Sequence, residues 1–211
     1  MATPASSTRF IRYLALGDSY TIGESVAENE RWPNQLAAML SEKNIQAEVT
    51  IIARTGWTTD ELWQGIQANL PQGTYDLVSL LIGVNNQYRG YDVDEYREQF
   101  RFLLSKSIEY AGGDVNRVIV LSIPDWSVTP FAEGMQADRH VDVISKEIGI
   151  FNTVNREETE SAGAHYVDIT PISRQALDDP SLVAYDGLHP SGKMYKLWVG
   201  QSLPTVVKIF N

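Results

Sequence analysis

The sequence predicts a three-layer α/β sandwich around a five-stranded parallel sheet. Three observations predict it. Apolar runs of strand length alternate with amphipathic helical stretches along the chain. The first four runs are almost continuously apolar, the pattern of parallel strands covered on both faces, where a half-exposed antiparallel strand would alternate. The length of 211 residues at 43% hydrophobic content suits one well-buried domain spanning 1–211 and is short for two.

The elements follow in order. Phe10–Leu16 reads as the first strand. Residues 31–44 form a helix, with Leu36, Met39 and Leu40 at helical spacing and Pro33 suited to the first turn. Ala47–Ala53 is the second strand. Residues 58–70 are a helix with Thr58 or Thr59 as N-cap and Pro71 as its stop. Tyr75–Gly83 is the third strand. Val93–Tyr110 is a helix with Tyr96, Phe100, Leu103 and Leu104 on one stripe. Residues 116–124 form the fourth strand, and a long helix covers Ala137–Ser161, interrupted at Gly149. Residues 164–170 are the last strand, and a helix from Ser191 closes the chain. Strand–helix units in this succession imply the flavodoxin-like sheet order 2-1-3-4-5, with ligands beyond the carboxyl ends of the strands.

Composition narrows the function classes. A formal net charge of −10 repels phosphate backbones and anionic lipid heads, so nucleic acid and membrane surfaces are poor partners. No apolar run approaches the roughly 20 residues that span a bilayer, so integral membrane association is not expected. The start, MATPASSTRF, lacks a basic cluster followed by an apolar core, which favours a cytoplasmic protein; a secreted or periplasmic one would need a leader already removed. With no cysteine, thiol nucleophiles, thiolate metal sites and disulfides are excluded.

The informative residues lie just after each strand. GDS (Gly17–Ser19) follows the first, RTGWTTDEL with Gly56 the second, GVNNQY with Asn85 and Asn86 the third, and PDWSVTP the fourth. YDGLHPSG, with Asp186 and His189, lies near the end. A serine hydroxyl needs a base to become nucleophilic. Of the three histidines, His140 falls in or beside the long helix and His165 inside a strand, both structural positions. His189 sits in a loop of turn residues, and Asp186 three positions earlier can orient it through one tight turn. An oxyanion needs donors held in place beforehand. The N–H of Ser19 at a helix start, the N–H of Gly56 and the side-chain amide of Asn85 supply them.

These blocks, in this order and each after its own strand, resemble the SGNH, or GDSL, hydrolases. Ser19, Gly56, Asn85 and His189 match the four residues that name that family, and Asp186 with His189 matches its Asp-x-x-His pair. The resemblance runs from Leu14 to Gly192. It implies a flavodoxin-like sandwich that hydrolyses esters, thioesters or related acyl bonds with no metal or other cofactor. Short acyl esters, O-acetyl groups on sugars and lysophospholipids all fit as substrates. Tyr20 stands where the family often has leucine, a change in the packing behind the nucleophile. GVNN stands where GTND is common, which alters Asn86 and bears on substrate preference.

Other readings have specific tests. Asp18, Asp186 and His189 are metal-ligand types, which would make a metal-dependent phosphoesterase. A non-catalytic binder of the same fold is the other alternative. Asp18 either shapes the turn or takes part directly. Trp57, Asn86, Tyr88, Tyr91 and Trp126 follow strands two to four, and are candidates for a substrate groove or for bracing the loops. Oligomeric state leaves no mark on the sequence.

Overall fold

Register explains how distant blocks of sequence reach one edge of this molecule. In the computed structural model, which describes residues 8–135 and 140–210, strand β1 (Arg9–Gly17) pairs in parallel with β2 (Ile45–Ala53) and β3 (Leu77–Leu81). Gly17 lies opposite both Ala53 and Leu81. The three strands therefore end level, and the segments that follow them emerge side by side. β4 (Val118–Leu121) and β5 (His165–Val167) complete a five-stranded parallel sheet in the order β2-β1-β3-β4-β5.

Helix α1 (Ser19–Ile22) follows β1 at once. On one face of the sheet α2 (Trp32–Ser41) packs against α9 (Gly192–Phe210). On the other, α5 (Val93–Tyr110) lies between α3 (Thr59–Asn69) and α7 (Val141–Ala162). Short helices α4 (Val84–Tyr88), α6 (Pro130–Gly134) and α8 (Thr170–Arg174) occupy the connections. Tyr13 of β1 meets the Trp32 ring at 6.4 Å, and Tyr96 of α5 meets Phe151 of α7 at 4.5 Å across the opposite layer. The predicted stripe of α5 is buried as a unit, each side chain being worth about 1.5–3 kcal/mol. Asp92 caps that helix by accepting from the Asp94 and Glu95 N–H groups. Thr58 precedes α3, and its own N–H donates to Glu61 in a capping box.

Several expectations are corrected. The third, fourth and fifth strands are shorter than predicted, and side chains bond to the backbone at their ends: before β3, Asp76 Oδ2 accepts from Arg12 N–H. Ser122 Oγ accepts from the N–H groups of Ile169 and Thr170, and Asp168 also accepts from Thr170. β2 is an edge strand with Gln46 and Glu48 exposed, so it is not covered on both faces. α7 runs unbroken through Gly149; residues 137–139 of its predicted start lie outside the described residues. A glycine costs a helix about 1 kcal/mol. Burial of Ile144, Ile148, Phe151 and Val154 on one face outweighs that several times over.

Candidate active site

Ser19 is placed by a turn that admits only glycine before it. A Cβ on Gly17 would lie 2.2 Å from Thr21 Oγ1 and 2.4 Å from the Leu81 carbonyl oxygen. Asp18 then caps α1, its Oδ1 accepting from Tyr20 N–H at 3.0 Å. Its Oδ2 is buried and unpartnered among the described residues. Burial pushes the carboxyl up to about 7, against the pull of the Tyr20 and Asp18 N–H groups. Ser19 is the first residue of α1, so its N–H has no acceptor within the helix.

The second block bends back towards the first. Gly56 has φ +85°, in the left-handed region, and a Cβ there would meet only Arg89 Nη2, at 3.8 Å. Arg89 fixes this turn from the third block: Nη2 donates to the Gly56 carbonyl at 2.6 Å, and Nη1 donates to Glu61 at 3.0 Å. The Arg89 hydrogen bond holds the Glu61 carboxyl below its ordinary range. The Gly56 N–H finds no acceptor among the described residues. Asn85, in α4, donates one amide hydrogen to the Trp57 carbonyl at 2.9 Å, which leaves its second hydrogen for a ligand.

The candidate base, His189, arrives from the loop before α9. Ala184 N–H donates to the His189 carbonyl at 2.7 Å, and Val183 bridges to Pro190, so the loop closes on itself. Inside it, Asp186 Oδ1 accepts from the N–H groups of Leu188 and His189, both at 2.9 Å. Asp186 Oδ2 lies 2.6 Å from His189 Nδ1 and also accepts from Ser25 Oγ at 2.6 Å. Burial works to raise the Asp186 carboxyl, but these donors outweigh it and hold the group down at about 2. His189 is 8% exposed, and its ring lies edge-on to Tyr20 with centroids 5.7 Å apart.

Ser19, His189, Gly56 and Asn85 line one cavity of about 200 Å³. No hydrogen bond joins Ser19 Oγ to His189 among the described residues; such bonds commonly tighten only with substrate bound. Tyr88 and Trp126, two of the groove candidates, line the cavity with their rings 5.7 Å apart. The other candidates do not. Asn86 is fully buried and pins the start of α3, accepting from Thr59 N–H and donating to Thr59 Oγ1. The Trp57 ring packs on Gly65 of α3, and only its carbonyl turns to the site. Asp18 lies wholly beneath α1, and the Tyr91 hydroxyl reaches Asp60. The remaining cavity walls are Tyr20, marked in the sequence only as a packing change, and Thr55, Val84, Phe131 and Leu188, which the sequence did not mark. Thr55, Val84 and Leu188 each adjoin a predicted site residue, which is the signal that could have found them. Phe131 carries no comparable signal.

His140 caps α7, and His165 Nε2 lies 3.1 Å from the Asn116 carbonyl. Among the described residues no three His, Asp or Glu side chains group as a metal-ligand set, and Asp18 does not join Asp186 and His189 as one. No described helix is long and apolar enough to cross a membrane.

Known proteins can be set beside this geometry. By sequence, no curated protein matches. Among solved structures, TesA superposes with a TM-score of 0.71 at 16% identity, covering 94% of this chain and 99% of that one. The psychrotrophic esterase EstA from Pseudoalteromonas sp., solved inhibited by monoethylphosphonate, gives 0.71 at 18% identity over 95% of this chain and 98% of its own. Axe2, an acetylxylan esterase from Geobacillus stearothermophilus, gives 0.65 at 19% identity over 95% and 96%. At these identities the likeness establishes the fold. The sequence pattern of one family matches residues 15–197, a span that includes every block described above, and the chain belongs to that family, the GDSL-like lipases and acylhydrolases.

Proposed function

We propose that this protein hydrolyses short-chain carboxylic esters through an acyl-serine intermediate. The observation that carries the reading is the convergence of Ser19, the Asp186–His189 pair and the donors Gly56 and Asn85 on one cavity. His189 takes the proton of Ser19 Oγ as that oxygen attacks the ester carbonyl. Asp186 accepts the Nδ1–H bond, fixes the tautomer and stabilises the imidazolium. The N–H groups of Ser19 and Gly56 and the Asn85 amide receive the oxyanion. His189 then protonates the leaving alcohol. Water, deprotonated by the same ring, attacks the acyl-serine and releases the acid. The chemistry needs no metal or cofactor.

Cavity size supports the short-chain preference. About 200 Å³ must hold the scissile group and whatever acyl chain enters with it. Tyr20, Trp126 and Leu188 wall this cavity and also wall a second, much smaller one behind it, so they act as a partition that limits depth. Tyr88 and Phe131 are part-exposed at the same cavity and offer aromatic surface to an alcohol group. Sugar O-acetyl esters fall within this substrate class; a lysophospholipid, with its long acyl chain, falls outside it.

The test is a series of nitrophenyl esters from acetate upwards, with wild type and Ser19→Ala. Wild type is expected to prefer the shortest members. Ser19→Ala is expected to lose several orders of magnitude in turnover, and a serine-directed phosphonate should label wild type alone. Full activity in Ser19→Ala overturns the mechanism. Loss of activity with a chelator favours the metal-dependent phosphoesterase.

A further inference from the structure

Ser25 makes a contact that the proposed mechanism does not use. Its hydroxyl donates at 2.6 Å to Asp186 Oδ2, the oxygen that also faces His189 Nδ1. An ionised carboxylate has about four lone-pair directions. Here all four are occupied: Leu188 N–H and His189 N–H on Oδ1, Ser25 Oγ and the His189 ring on Oδ2. With both oxygens saturated, the carboxylate has no free lone pair that would favour rotation away from the imidazole.

The backbone holds Ser25 there against its own preference. Gly23 ends α1 at φ +72°, and the N–H groups of both Gly23 and Glu24 close on the Ser19 carbonyl at 3.0 Å. Ser25 follows at φ +65°, a conformation that serine adopts at a cost. The same turn reaches the oxyanion loop, since the Glu24 carboxylate accepts a close hydrogen bond from Thr55 Oγ1, beside Gly56. One short turn is thus bonded to the carbonyl of the nucleophile, the residue before Gly56 and the acid of the pair.

We infer that Ser25 is a positioning residue that orients Asp186 towards His189, within a Gly23–Ser25 turn that couples the acid and the oxyanion loop to the nucleophile helix. The inference deepens the serine-esterase reading and rests on it. Ser25 does not touch the reacting atoms; it acts through Asp186.

The decisive variant is Ser25→Gly, because glycine accepts the positive φ while the hydroxyl that reaches Asp186 is lost with the rest of the side chain. It is expected to melt at or above the wild-type temperature. On nitrophenyl acetate its kcat should fall about tenfold with KM within about twofold, the split expected when only the transition state loses support. The downfield Nδ1 proton of His189, seen by NMR, should move relative to wild type. Ser25→Ala should repeat the kcat loss with a lower melting temperature. An unchanged kcat in Ser25→Gly overturns the inference, and so does a lowered kcat with an unmoved Nδ1 resonance. Asp186→Ala separates the two levels. If it is inactive while Ser25→Gly is normal, the inference alone fails. If Asp186→Ala keeps wild-type activity, the triad reading fails and the inference with it.

Discussion

Replacing Asp18 by asparagine should free the fold from a penalty that grows with pH. The Asp18 carboxyl is wholly buried, with one oxygen capping α1 and the other unpartnered among the described residues. Burial raises it from an ordinary 3.8 to about 7. The folded value lies above the unfolded one, so below about pH 4 the group is neutral in both states and costs nothing through ionisation. As pH rises through that window the unfolded chain ionises first and is favoured. Above about pH 7 the full difference is expressed, about 4 kcal/mol at 1.36 kcal/mol per pH unit. Between about pH 5 and about pH 8 the accumulated part is roughly 2–3 kcal/mol. Asparagine keeps an acceptor for Tyr20 N–H and never ionises. Urea unfolding of both proteins at the two pH values should show the stability gap opening by that amount in favour of Asp18→Asn, other titrating groups cancelling between them. A gap that stays constant, or one that opens at acid pH, would refute the claim that this carboxyl is buried without a charge partner.

Two further outcomes test the packing around the site. Gly65→Ala would place a methyl about 2.0 Å from the Trp57 ring; alanine normally stabilises a helix interior, yet here unfolding should show a loss of about 1–3 kcal/mol, and a gain would sink the argument. Tyr20→Leu removes part of the partition behind the nucleophile; the butyrate-to-acetate ratio of kcat/KM should rise about tenfold or more, and an unchanged ratio would show that Tyr20 does not limit acyl length.

The strands and the five blocks were legible from local pattern, and the strand order from the succession of strand–helix units. A continuous apolar run marks a strand buried on both faces, and a glycine or aspartate at its end marks the turn that presents a side chain. Boundaries were less legible. The ends of β4 and β5 are set by Ser122 and Asp168 bonding across chain segments, which no local window contains. The continuity of α7 through Gly149 was hidden for a similar reason, since burial of its apolar face outweighs glycine's low propensity.

For the site, the sequence by itself singled out the residues proposed to carry the chemistry: Ser19, Asp186 and His189, with Gly56 and Asn85 as proposed donors. Residue type, position after a strand or in a turn, and the resemblance of the blocks taken together pointed to them. Only the tertiary structure decided which neighbours face the cavity. Trp57 and Asn86 adjoin the proposed oxyanion residues in sequence, yet the Trp57 ring is drawn onto Gly65 and the Asn86 amide onto Thr59. Ser25, an unremarked residue of a turn, meets Asp186 from the far end of the chain. A side chain's direction is set by the partners that reach it across the fold, and those partners are remote in sequence.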